Sequence, residues 1–113
     1  MSLEETRILS RLSINTNPDW LHKSHAGELL LSEFLEPLTM STDELAGRIG
    51  IPAARIQAVI DGAQPVDADL DLRLGRYFRM SEGFFLRLQD SYELLEAKRA
   101  LNGKLDRIIP RAA

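Results

Sequence analysis

The segment from Ser41 to Gly62 limits what this chain can fold into more than any other. Leu45, Ala46 and Ile49 recur at helical spacing, Gly50, Ile51 and Pro52 interrupt, and Ile56, Val59 and Ile60 resume it. This is the period of a helix with one buried face, repeated on both sides of a break. Ser41 and Glu44 make a Ser-x-x-Glu capping box that opens the first helix. Gly50 suits the position just past a helix end, and Pro52 suits the first turn of the next helix, where a missing N–H costs nothing. So short a connection cannot reverse the chain, and the two helices must cross steeply.

The rest of the chain supplies helices to bury those faces. Leu30, Leu31, Phe34, Leu35 and Leu38 form one stripe, which Pro37 is expected to end near Leu35–Glu36. Asp67 is placed to cap a fourth helix with an apolar face of Leu70, Leu74, Tyr77 and Phe78. Ser81 and Glu82 are expected to open a fifth, carrying Phe84, Phe85, Leu88, Tyr92 and Leu95 and running to Leu101, before Asn102-Gly103. Residues 1–24 read as an extension, with Leu3, Ile8, Leu9 and Leu12 on a short helix, turn chemistry at Asn15–Pro18, and Trp20 and Leu21 as a tether. The expected organisation is therefore all-α: an extension over 1–24, a five-helix domain over 25–101, and a basic, frayed tail after it, within 102–113.

Composition narrows the function. With no cysteine, disulfides, thiol catalysis and Cys-ligated zinc are excluded. His22, His25 and Glu28 do not have the i, i+4 spacing of a zinc helix, and no metal or cofactor is expected. His25 and Glu28 are expected to brace the first helix, Glu28 reaching back to its free N–H groups. No nucleophile–base pair or Gly-rich phosphate loop is present, so an enzyme is not expected. Glu4 and Glu5 without a long apolar run argue against a signal peptide, and no stretch approaches a bilayer span, which implies a soluble cytoplasmic protein.

The Ser41–Gly62 pattern is the helix-turn-helix arrangement, whose second helix enters the DNA major groove by its N-terminal end while the first spans the phosphates. At about 100° per residue, burying Ile56, Val59 and Ile60 turns Ala54, Gln57, Ala58 and Asp61 outward, with Ala53 and Arg55 at the edges. Gln57 matches adenine, Arg55 matches guanine or a phosphate, and Ala54 and Ala58 can touch thymine methyls. Ser41 and Thr42, at the start of the first helix, are candidate phosphate contacts.

Residues 25–90 resemble the HigA family of antitoxins, within the repressor-type, lambda-repressor-like (XRE-like) helix-turn-helix class. Where that family opens with His-Pro-Gly-Glu, this chain has His25-Ala26-Gly27-Glu28. The phrase Glu-Glu-Phe-Leu-Glu-Pro-Leu is matched by Ser32 to Leu38, and Ser-x-x-Glu-Leu-Ala by Ser41 to Ala46. Arg55-Ile56, Val59 and Gly62 follow the Arg-Ile-x-x-Ile-x-x-Gly phrase. Leu72-Arg73-Leu74 with Tyr77-Phe78, then Phe84-Phe85-Leu86 with Leu88-Gln89, complete the series in order. The resemblance implies a homodimer that binds double-stranded operator DNA in its own operon, and a partner toxin that cleaves RNA and is neutralised by binding.

The chain departs from the family where basic residues are usual: Ala54 precedes Arg55, and Ala63 and Gln64 follow Gly62. Between Ser41 and Arg79 five arginines face six carboxylates, and the whole chain carries a net charge of −3. If three phosphate contacts are lost in this way, the salt dependence of binding should weaken by roughly three units of slope. A repressor without a toxin, and a protein-interaction module with weak or lost DNA binding, are the alternative readings.

Overall fold

The computed structural model describes residues 25–112, so the readings placed on residues 1–24 lie outside the described residues. Five helices make up the body, and no strand occurs among the described residues. Helix α1 is composite: an α-turn over Ala26–Leu29, a π-helical stretch over Leu30–Leu35 and a closing turn over Glu36–Leu38. Then come α2 (Thr42–Ile49), α3 (Ala53–Ile60), α4 (Ala68–Phe78) and α5 (Phe84–Leu101).

Pro37 does not end α1 where its ring was expected to. The widened turn upstream bonds at i−5, as in Glu36 N–H to the Leu31 carbonyl, and Pro37 falls in the first turn of the closing segment. The helix therefore reaches Leu38 and stops at Thr39, which is left-handed at φ 52°. This rotation also takes Leu38 out of the stripe, and it is 58% exposed. Leu30, Phe34 and Leu35 remain buried, and Leu31 packs at the edge of the core.

Ser41 caps α2, its Oγ accepting the Glu44 N–H at 3.0 Å. Only this arm of the box is made, so Glu44 contributes its backbone and its charge near the helix start. Leu45, Ala46 and Ile49 are buried as the spacing requires, and so are Ile56, Val59 and Ile60 of α3. Between them Gly50 adopts φ 72°, and both it and Ile51 donate to the Ala46 carbonyl. Pro52 sits one residue earlier than expected, at the cap of α3, because its ψ of 140° is extended and cannot belong to a helical turn. The core closes around aromatic rings: Phe34 lies 4.8 Å from Phe78 and 5.2 Å from Phe85 between ring centres. Tyr77, expected in that face, is 37% exposed, since it follows Leu74 and precedes Phe78 on the rim of α4.

The start of α5 is built differently from the expectation. Gly83 (φ 87°) turns the chain into the helix, and the Ser81 carbonyl accepts the Phe84 N–H at 3.1 Å. The cap comes from α4: the buried carboxylate of Asp71 accepts the N–H groups of Gly83 (2.7 Å), Phe85 (2.9 Å) and Leu86 (3.1 Å). An anion among the free donors at the positive end of an 18-residue helix is doubly favoured, by the hydrogen bonds and by the dipole. Past Leu101, Lys104–Arg107 form a 3-10 turn where a frayed tail was expected; Asn102 and Gly103, both at positive φ, fold the chain into it.

The amide of Gln89 ties α5 to the loop behind α3. Its Oε1 accepts the Val66 N–H and its Nε2 donates to the Val66 carbonyl, so one side chain satisfies both backbone groups of a buried residue. Gln89→Leu should lower unfolding free energy by about 1–3 kcal/mol. Urea denaturation followed by circular dichroism checks this, and an unchanged midpoint would mean that water replaces the amide without loss.

Candidate nucleic-acid interface

The leading end of α3 is open. Pro52 and Ala54 are exposed, Gln57 is exposed one turn on, and Ala58 is half-buried on the same side. Ala53 faces partly inward and packs against the core. Ser41 is exposed at the start of α2, and Thr42 is half-buried beside it. Ser41 Oγ uses a lone pair on Glu44 N–H, which leaves its hydroxyl proton for an outside acceptor such as a phosphate oxygen.

The turn between α2 and α3 is held from α4. Arg73 donates from Nη1 to the Ile49 carbonyl at 2.7 Å and to the Gly50 carbonyl at 3.3 Å, and its Nε pairs with Asp69 at 3.1 Å. A cation on the last carbonyls of α2 satisfies orphan acceptors and suits the negative end of the dipole. The two carbonyls lie 24 and 23 residues away from Arg73, beyond the reach of helical periodicity.

Arg55 is held by its own chain. Its guanidinium donates to Gln64 Oε1 at 3.1 Å and to the Pro65 carbonyl at 3.0 Å, and lies 3.4 Å from Asp67 Oδ2, with the side chain 24% exposed. It thereby folds the loop after α3 back against α3. Gln57, by contrast, stays outward, its Nε2 donating to Asp61 Oδ1 at 2.9 Å, one turn along the helix. Of the proposed DNA-facing set, Ala54, Gln57 and Ala58 thus share the open face, while Arg55 lies on the loop side.

Asp67 joins the Arg55 cluster to the start of α4. The Leu70 N–H, bonded to Oδ1 at 2.9 Å, and secondarily the Arg55 charge hold its carboxyl below the ordinary aspartate range. A depressed value means that the unfolded chain binds the proton more readily. This contribution to stability is complete above the ordinary aspartate range and is lost as the pH falls through the lower, folded value. Urea midpoints of the parent should therefore fall between about pH 6 and pH 3 more than those of Asp67→Asn. Equal falls would remove Asp67 from the account.

At the other end of α3, His25 caps α1. Its Nδ1 accepts the N–H groups of Gly27 (3.1 Å) and Glu28 (3.3 Å), so the ring proton is on Nε2, 3.2 Å from Glu28 Oε1. The bracing role is reversed from the expectation: the imidazole takes the free N–H groups and the Glu28 carboxylate holds the imidazole. This places Gly27 directly on the last turn of α3, where a Cβ would meet the Val59 carbonyl oxygen at 1.9 Å.

No family model matches the sequence. Among curated proteins, virulence-associated protein I of Dichelobacter nodosus is 31% identical over 87 residues, spanning 77% of this chain and 81% of that protein. Antitoxin HigA of Pseudomonas aeruginosa, solved with the higBA promoter, superposes with a TM-score of 0.72 at 31% identity over 80% of this chain and 99% of the other. The chain belongs to the HigA family of antitoxins. A second family member, an addiction module antidote protein of Coxiella burnetii, superposes equally well (TM-score 0.72, 32% identity), covering 80% of this chain and 98% of that one. Here α2 and α3 are the helix-turn-helix pair, with Gly50 at the turn between them and Arg73 bonded to the carbonyls that end α2. No helix among the described residues is long and apolar enough to cross a membrane.

Proposed function

We propose that this HigA-family chain is a sequence-specific repressor of its own operon and the antitoxin that neutralises an RNA-cleaving toxin encoded there. One observation carries the DNA reading: the leading end of α3 is uncovered beside the start of α2, in the fold that the P. aeruginosa HigA uses with its promoter. In this reading Ser41 and Thr42 contact phosphate, Ala53, Ala54, Gln57 and Ala58 line the groove, and Arg55 holds the loop at its edge. A homodimer would present two such ends to the two halves of an operator, in the cytoplasm. The reading of a protein-interaction module without DNA binding draws on the absence of basic residues at Ala54, Ala63 and Gln64, and on the exposed Asp43 and Glu44 at the start of α2.

Titrating the full chain against a labelled duplex from upstream of its gene, at about 50 and 200 mM salt, separates the two. The repressor reading requires tighter binding than to a scrambled duplex, weakening with salt. No salt-sensitive binding even at the lower concentration would leave the interaction module. A small toxin-like reading frame beside the gene, and its product's capture by this chain, test the antitoxin half.

A further inference from the structure

We infer that α3 of this chain selects A·T base pairs, through methyl groups and one fixed amide, and has no guanine reader; the inference rests on the repressor reading above. Guanine offers two acceptors to the major groove, and arginine is the side chain that matches them. Here the arginine of α3 is turned away. To reach a base, Arg55 would have to leave Gln64 Oε1, the Pro65 carbonyl and Asp67, and release the loop they fasten.

What remains on the open face, between Pro52 and Asp61, is Ala54, Ala58 and Gln57. Asp61 takes one N–H of the Gln57 amide at 2.9 Å and so fixes which end of the amide points along the helix. The second N–H and Oε1 stay free. That donor and acceptor complement N7 and the N6 amine of adenine, whereas guanine would set O6 against Oε1. The Asp61 carboxylate beside it adds a further acceptor, which also disfavours the guanine edge. The two alanine methyls offer apolar contact, and thymine alone among the bases carries a methyl there.

Selection of the full chain against a duplex library with a randomised centre tests this. The expected half-site has an adenine opposite Gln57 and neighbouring thymines. Replacing a contacted thymine with deoxyuridine, which removes only the methyl, should weaken binding about fourfold. Gln57→Ala should flatten the preference at one adenine, by roughly fivefold or more, and leave the rest of the motif. Arg55→Lys should leave the motif itself unchanged. Half-sites dominated by G·C pairs at these positions, with Arg55→Lys abolishing that preference, would overturn the inference and leave the repressor standing. Enrichment of no sequence over the starting library would remove both.

Discussion

Asp71→Ala should cost about 4 kcal/mol of unfolding free energy, because it takes the acceptor away from three backbone donors at once. The carboxylate is 2% exposed and accepts three backbone N–H groups at the start of α5. Alanine leaves those donors facing a methyl, and each buried donor without a partner costs about 1–3 kcal/mol, less where water enters beside Gly83. The loss falls on the joint between α4 and α5, so the aromatic cluster around Phe85 should loosen with it. Asp71→Asn should cost less, because one amide oxygen can still serve Phe85 and Leu86. Guanidinium denaturation of the three proteins gives the order directly. If alanine and asparagine prove equal and small, the cap is decorative and α5 is held by its apolar face alone.

Gly27→Ala should cost about 3 kcal/mol or more, although it exchanges a helical glycine for the best helix former. Propensity alone would favour the change by about 1 kcal/mol. The added methyl, however, would sit 1.9 Å from the Val59 carbonyl oxygen and 2.8 Å from the Ile60 Cα. These are backbone atoms in the last turn of α3, and they cannot rotate aside; α1 and α3 must move apart, opening the core between them. Gly47→Ala is the matched control. It lies on the exposed side of α2 with nothing within 4 Å of a Cβ, and it should stabilise by about 0.5–1 kcal/mol. Two thermal melts of opposite sign are the expected result, and a neutral Gly27→Ala would show that the helices have room to part.

What was legible beforehand had a local cause. The caps made by Ser41 and Asp67 reach only three residues along the chain, and the buried positions of α2 and α3 follow from a period of 3.6. What was missed acts across the fold. Asp71 serves residues 12 to 15 positions on, Gln89 serves Val66 at 23, and Arg73 reaches back as far as 24. A signal existed for Asp71: it shares a helix face with Leu74 and Phe78, where a lone carboxylate is out of place unless it has donors to hold. Pro37 and Leu38 misled because a π-helical stretch has no pattern in apolar spacing, and shifts every later side chain around the axis.

The interface was legible to the same extent. Periodicity put Ala54, Gln57 and Ala58 on the outer side of α3, and they are there. It also left Arg55 at the edge, able to turn either way. Which way it turns is decided by Gln64, Pro65 and Asp67 in the following loop, whose path no helical period records. Its place at the edge of the outer face made a DNA contact the natural expectation for Arg55. In this chain Gln64 instead accepts a hydrogen bond from Arg55.

The presentation of one end of α3 to a duplex is tested most directly by amide chemical shifts of the full, isotope-labelled chain on addition of duplex from its own upstream region. Shifts concentrated on residues 41–44 and 53–58, with the far end of α5 unmoved, are the predicted result. Shifts confined to α5 and the 3-10 turn, or the same small changes everywhere with any duplex, would contradict it.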